Sequence, residues 1–361
     1  MRAAVMRNKK LVVDTIPTPE PGPGEVLVKT LACGICGSDL HTLKHAEKLV
    51  EASRRSGGIF NMDLSRDIVM GHEFCAEIVD HGPGTRKHLQ VGTRVCSIPV
   101  LFRPNGPHTV GYSNDNPGGY GEYMRLTEAL LLAVPNGLST ERAALTEPMA
   151  VGLHAVEKAR LEKDDVPLVV GCGPVGLAVI AALRLKGVRP IVAADFSSRR
   201  RELAAAVGAD VIVNPSEQSP YQSWREVAVW SDSSRAPQLP PWTSGPPLRP
   251  AVIFECVGVP GVIDQIMMAA PQGARLVVVG VCMERDAIQP LFGINKELNV
   301  QFVLGYSREE FGAMLRHIAE GTIPTEPLIT GKVGVEGVAQ AFEDLGSPEH
   351  HAKILVEPWR S

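Results

Sequence analysis

Two groups of residues in this chain have types and spacings that could do chemistry. The first is the run Leu31-Ala32-Cys33-Gly34-Ile35-Cys36-Gly37-Ser38-Asp39-Leu40-His41, followed at a distance by Gly71-His72-Glu73. Thiolate, imidazole and carboxylate are the ligand types of zinc, and an open catalytic zinc takes three protein ligands, leaving a position for water or substrate. Cys33 and Cys36 also spell a CxxC, which alone would read as a redox pair or half of a structural knuckle. No second CxxC completes such a knuckle and no thioredoxin-like context surrounds this one, so a catalytic metal ranks first. Taken singly, each of these residues is better explained by packing. Their joint occurrence reverses that.

The second group is a glycine turn. Leu168 to Val170 form a short apolar run that stops at Gly171-Cys172-Gly173-Pro174-Val175-Gly176, after which Leu177, Ile180, Ala181, Leu183 and Leu185 have helical spacing. A second apolar run, Ile191 to Ala194, ends in Asp195. Gly171 suits the tight turn, Gly173 the approach of backbone to a pyrophosphate, and Gly176 close helix packing. The helix N-terminus offers unpaired N–H groups to phosphates. Asp195 falls about 20 residues beyond the turn, where a carboxylate can accept from the ribose hydroxyls of a dinucleotide.

The elements that must position these groups follow from composition and pattern. A chain of 361 residues with 44% hydrophobic residues exceeds one core and predicts two domains. A net charge of -4 with scattered positive residues argues against nucleic acid as a partner. No apolar run reaches the ~18 residues of a membrane span, and Met1 to Pro17 lacks the pattern of a signal peptide. A cytoplasmic protein without membrane partners is expected. Seven cysteines, an odd number, then read as reduced thiols or metal ligands. Alternation predicts strands around Leu11 to Val13 and Val26 to Thr30, and later apolar runs predict strands at Phe254 to Gly258, Arg275 to Val281 and Asn299 to Gly305. A helix is expected over Phe311 to Ala319.

With these residues in view, the chain resembles the zinc-dependent medium-chain dehydrogenase/reductase family, in particular its polyol and threonine dehydrogenase branch. The likeness also covers Val91-Gly92-Thr93-Arg94-Val95, Gly118-Gly119-Tyr120-Gly121-Glu122-Tyr123, Thr146-Glu147-Pro148 and Phe254-Glu255-Cys256-Val257-Gly258. It implies an α/β architecture: a mainly-β, GroES-like catalytic domain from residues 1–153, completed by 307–361, and a doubly wound Rossmann domain over 154–306. By the same resemblance Cys36, His72 and Glu147 are the zinc ligands, and Pro148 suits a first helical turn with Glu147 at its edge. Glu73 is expected beside the metal rather than on it, since a second carboxylate would make the neutral site anionic. Asp39 would hold the ligand histidine's other nitrogen, and Ser38 and His41 would relay the alcohol proton. NAD would contact Gly171, Gly173, Pro174, Val175, Gly176, Asp195, Arg200, Val279 and Val281. The implied activity is reversible hydride transfer between a secondary alcohol or polyol and NAD, by a homodimer or homotetramer whose final sheet strand pairs across subunits. The alternatives are a zinc-free quinone or enoyl reductase, which would lack Cys36, His72 and Glu147, and a non-enzymatic nucleotide-binding protein, against which the relay argues.

Two stretches depart from the family pattern, and a third is longer than usual. Between Val95 and Tyr120, where many relatives carry four cysteines, only Cys96 is present, which predicts one catalytic zinc and no structural zinc. Pro215 to Pro250 holds eight prolines with Trp224, Trp230 and Trp242, predicting a short helix over Tyr221 to Trp230 and then an irregular loop. The interval from His41 to His72 is long. Its Ala46 to Ser53 portion favours helix and Gly57-Gly58 would end it. Two readings of it stand side by side: a lid with Leu49, Ile59, Phe60 and Met62 as apolar walls and Arg54 and Arg55 for an anion, or a solvated excursion.

Overall fold

The computed structural model describes residues 1–232, 234–238 and 245–360, and the chain divides into two compact units. One is formed by Met1–Pro148 with Ser307–Ser361, the other by Met149–Tyr306. Trp242 lies outside the described residues.

The first unit is built on a mixed sheet whose central strand is Glu25–Gly34. Its Val26, Val28, Thr30 and Ala32 alternate onto a buried face, as a half-buried strand requires. Strand Glu73–His81 runs antiparallel on one side, and the return strand Lys353–Val356 pairs at the other side near Gly34. The two pairings converge at one point: Gly34 lies opposite both Glu73 and Leu355. Residues far apart in sequence therefore meet where the central strand ends and Cys36 begins the next helix.

That helix, Gly37–Ser56, starts well before the Ala46 to Ser53 core that composition predicts, and the backbone is non-helical at His45. Gly57 closes it in the left-handed conformation at φ 71°, as the glycine pair predicts. The long interval is not a solvated excursion, because Met62 is buried in the unit's core and Leu49, Phe60 and Leu64 pack against it. Ile59 is exposed.

The hairpin Val100–Arg103 and Gly106–Thr109 occupies the stretch that has no cysteines. It is anchored by charge. Glu25, 2% exposed, accepts from Arg103 Nε at 2.8 Å and from the Gly22 N–H at 3.0 Å. Asn116 Oδ1 accepts from both Arg103 and Arg125 at 3.0 Å. Burial works against the Glu25 carboxylate, but the Arg103 bond, the Gly22 N–H and the two guanidinium charges hold its pKa below the ordinary value.

The second unit carries six parallel strands in the spatial order Val211–Val213, Val192–Ala194, Val166–Val170, Ala251–Glu255, Arg275–Val278, Asn299–Phe302. This is the doubly wound dinucleotide order. The later strands end earlier than their apolar runs suggest. After Glu255 the carboxylate of that residue accepts the N–H groups of Val257 and Gly258 at 2.7 and 2.8 Å, which turns the chain away from the sheet. The helix in the proline-rich stretch is Pro220–Ala228, where Trp224 is buried and its indole donates to the Val166 carbonyl at 2.9 Å. All four residues of Asn299–Phe302 are exposed, leaving an open sheet edge with Phe302 at 64% exposure and Leu304 at 80%. Among the described residues no helix is long and apolar enough to cross a membrane.

Replacing Arg103 by Ala strips the buried Glu25 of a charged donor and should cost the first unit about 2 kcal/mol. Because the folded Glu25 pKa is depressed, its contribution is complete above the unfolded value of about 4.3 and is lost as pH falls through the lower folded value. Urea unfolding of the two proteins at neutral pH and near pH 3 checks this: the gap should shrink in acid.

Candidate active site

The residues that could hold a metal ion arise where the strands converge. Cys36 is the last extended residue before the helix, at φ -89° and ψ 151°, and its N–H donates to Asp39 Oδ2 at 3.1 Å. The bond closes the helix start and sets thiol and carboxylate in one turn. Gly71, at φ 102°, precedes His72, and a Cβ there would lie 2.7 Å from the Tyr120 ring and 2.9 Å from Cys33 Sγ. Only glycine allows the chain to pass this close and deliver His72 beside Cys36. The ligand atoms of Cys36, His72 and Glu73 all lie within 4.8 Å of one another.

Each of these side chains has a distinct environment. Asp39 is fully buried and accepts from Tyr120 at 2.6 Å and from Tyr112 at 2.8 Å. His72 Nδ1 lies 3.4 Å from Asp39 Oδ1, an ion-pair contact without a hydrogen bond. Burial pulls the His72 pKa down, but the Asp39 charge, with support from Cys36, leaves it well above the ordinary value. The Cys36 thiol is pushed up by burial and by the charge of Glu73. A site that raises a thiol pKa without a metal is one that a divalent cation would reverse.

Glu73 is not left as a naked charge. Lys353 Nζ donates to both carboxylate oxygens at 2.8 and 2.7 Å and to the Ile35 carbonyl at 3.0 Å. Both side chains are buried, at 3% and 0% exposure. Burial lowers the Lys353 pKa, yet attraction to Glu73, then to Cys36 and Glu147, raises it above the ordinary value. Glu147 lies in the first turn of Thr146–Lys158 and is 9% exposed. Its charge acts on Lys353, but it is not in the group formed by Cys36, His72 and Glu73. Ser38 and His41 are three residues apart on one helix, hence neighbours on its surface. Ser38 Oγ lies 2.9 Å from Tyr112 Oη.

In the second unit the glycine turn has the expected close packing. Gly171 has φ 90°, and a Cβ on Gly176 would sit 1.9 Å from the Gly171 carbonyl. The helix Pro174–Leu185 starts there, with Val175 in its first turn. Asp195 accepts from the Cys172 N–H at 2.7 Å and the Ser197 N–H at 2.8 Å, each oxygen taking one donor. Arg200 Nη1 is 3.9 Å from Asp195, and the guanidinium lies 3.8 Å from where a Gly173 Cβ would stand. Val279 is buried just beyond Arg275–Val278, while Val281 is exposed with its backbone against Gly258.

The chain matches the alcohol dehydrogenase GroES-like domain over residues 22–136 and the zinc-binding dehydrogenase domain over 174–320. It is 32% identical to the (R,R)-butanediol dehydrogenase of Bacillus subtilis across 99% of this chain and 100% of that protein. The chain belongs to the zinc-dependent medium-chain dehydrogenase/reductase family. It is accordingly an oxidoreductase of the zinc-dependent alcohol and polyol dehydrogenase type, with a GroES-like and a Rossmann-type domain. Another family member, the sorbitol dehydrogenase of Bos taurus, is 29% identical over 95% of this chain and 94% of its own length. The crystal structure of 2R,3R-butanediol dehydrogenase from Bacillus subtilis superposes with a TM-score of 0.78 at 30% identity, covering 99% of each chain.

Two site residues carried no family motif in the sequence: Tyr112 and Lys353. Lys353 has one visible signal, a lone cation in the apolar run Ala352 to Val356. Its substitution by Met should strand the buried Glu73 charge and destabilise the catalytic unit by about 3 kcal/mol. Denaturation melts check this, with partial recovery expected when Glu73→Gln is added.

Proposed function

We propose that this protein reversibly oxidises a secondary alcohol or polyol to a ketone with NAD, using one catalytic zinc per chain held by Cys36, His72 and Glu147. The observation that carries the reading is the convergence of Cys36 and His72 beside a Glu73 whose charge is already cancelled by Lys353. The donor set fits zinc, with a soft thiolate, an imidazole oriented by a carboxylate, and hard oxygens nearby. With Glu73 paired to Lys353, a thiolate, a neutral imidazole and the Glu147 carboxylate balance a divalent ion. When bound, zinc makes a coordinated hydroxyl acidic at neutral pH. Asp39 keeps His72 in one tautomer, and Ser38 and His41 pass the released proton towards solvent. No structural zinc is proposed, because the Glu25, Arg103, Asn116 and Arg125 network supplies the anchoring of the cysteine-poor hairpin.

NAD is favoured over NADP by Asp195. A carboxylate has about four lone-pair sites and two are taken by backbone N–H groups, so the rest suit ribose hydroxyls and repel a further phosphate. Arg200, close to both Asp195 and Gly173, suits the adenosine side. The open edge Asn299–Phe302 supports assembly as a dimer or tetramer by strand pairing, since an exposed apolar edge is a template for another strand. A cytoplasmic location accords with the reduced-thiol reading of the seven cysteines.

Purified protein should hold one zinc per chain by elemental analysis, and Cys36→Ala should lose both metal and turnover while still binding NAD. A panel of secondary alcohols, diols and polyols with NAD or NADP, read by nicotinamide absorbance, tests the activity. Asp195→Ser should narrow or invert a clear preference for NAD. Equal kcat/KM for the two cofactors in the unsubstituted protein would refute the cofactor assignment, and two zinc ions per chain would refute the single-site reading.

A further inference from the structure

The Tyr112 hydroxyl makes two hydrogen bonds, and their directions can be assigned by counting protons. Tyr112 has one hydroxyl proton, and Asp39 Oδ1 at 2.8 Å takes it. The carboxylate also receives Tyr120 and the Cys36 N–H on its other oxygen, as an acceptor does. Tyr112 Oη therefore has only lone pairs to offer Ser38, and in their 2.9 Å bond Ser38 is the donor. Once Ser38 spends its single proton in this way, its oxygen faces any further partner as an acceptor. An alcohol substrate has a hydroxyl proton to give, so this is the polarity it needs.

Tyr112 is also held in place from the long interval whose role the sequence left open. The Phe60 ring meets it edge-on, with centroids 5.5 Å apart and planes at 81°. On its other side the Tyr112 ring lies 5.3 Å from that of His72. Tyr112 is 8% exposed. We propose that Tyr112, buttressed by Phe60, is a positioning residue that fixes Ser38 as a hydrogen-bond acceptor for the substrate hydroxyl. The inference rests on the dehydrogenase reading above, in which Ser38 meets the alcohol. It concerns the polarity in which the protonated alcohol binds; passing that proton on requires the Ser38 hydroxyl to swing from Tyr112 towards His41, and no proton moves onto Asp39.

The test uses zinc-loaded protein and two small probes that differ in hydrogen-bonding character. Trifluoroethanol, bound with NADH at a pH low enough that it keeps its proton, donates a hydroxyl proton; dimethyl sulfoxide, also bound with NADH, only accepts. Tyr112→Phe should weaken trifluoroethanol about 5-fold, the loss expected for one hydrogen bond of about 1 kcal/mol, and leave the sulfoxide within about twofold. Zinc content should stay at one per chain. In a Ser38→Ala background the Tyr112→Phe effect should vanish, because no hydroxyl remains to orient. Equal weakening of both probes, no weakening of either, or an effect that survives undiminished without Ser38 would each overturn the proposal. Phe60→Leu, which keeps the hydroxyl but loosens the ring, gives a second decision if Tyr112→Phe loses its metal. Selective weakening of trifluoroethanol is again expected, and an equal effect on both probes or none overturns the idea. Failure of the dehydrogenase reading is seen separately, as absence of NADH-dependent binding of either probe by the unsubstituted protein.

Discussion

A single carboxylate organises the catalytic unit. Asp39 has no exposed surface, and an ion so placed persists only if its lone pairs are filled. Three hydroxyl or amide donors and an imidazole surround it, from the helix start, from the loop bearing Tyr112 and Tyr120, and from the approach to Glu73. Meeting that demand fixes the turn at Cys36 and seats His72, Tyr112 and Tyr120 against one carboxylate. Burial alone would push the Asp39 pKa up, and the His72 charge with the hydrogen bonds brings it below the ordinary carboxylate value. The protein thereby concentrates buried polar packing beside Cys36 and His72, two of the residues that could hold a metal ion.

The second buried pair, Glu73 with Lys353, solves a different problem. Glu73, Cys36 and Glu147 all act electrostatically on Lys353, and without that cation the buried Glu73 carboxylate would be left uncompensated away from water. The lysine answers it with a hydrogen bond to each oxygen. The strand that brings it is the last of the chain, which explains why the catalytic unit must be closed by a segment returning from beyond the nucleotide unit.

The parts of this architecture that were legible in the sequence are local ones. Cys36, Ser38, Asp39 and His41 occupy one helical turn and a half, Gly71 to Glu73 are contiguous, and the glycine turn with its flanking strands is one unbroken unit. Each leaves a recognisable spacing. Tyr112 and Lys353 were not legible, because their partners stand 74 and 280 residues away and neither residue type announces a pairing on its own. Strand ends were misjudged for a related reason. The apolar run continues through Cys256 and Val257, but the Glu255 side chain captures the next two N–H groups, a competition that hydrophobic pattern does not record. The interval after His45 was half legible: the cap at Gly57 has a sequence signal, whereas the seating of Met62 in the core depends on residues of other strands.

The placement of Lys353 on the final strand also bears on how the protein is made. A growing chain emerges from its N-terminus, and domains fold as their residues become available. Cys36, His72 and Glu73 leave the ribosome before Met149–Tyr306, and the whole of that segment follows before Lys353 is added. Until Lys353 is added Glu73 lacks this buried cation, so the convergence of strands at Gly34 cannot close in its final form. The second unit is complete in sequence while the first still awaits the partner of Glu73, and the ordering of the two is written into the connectivity itself.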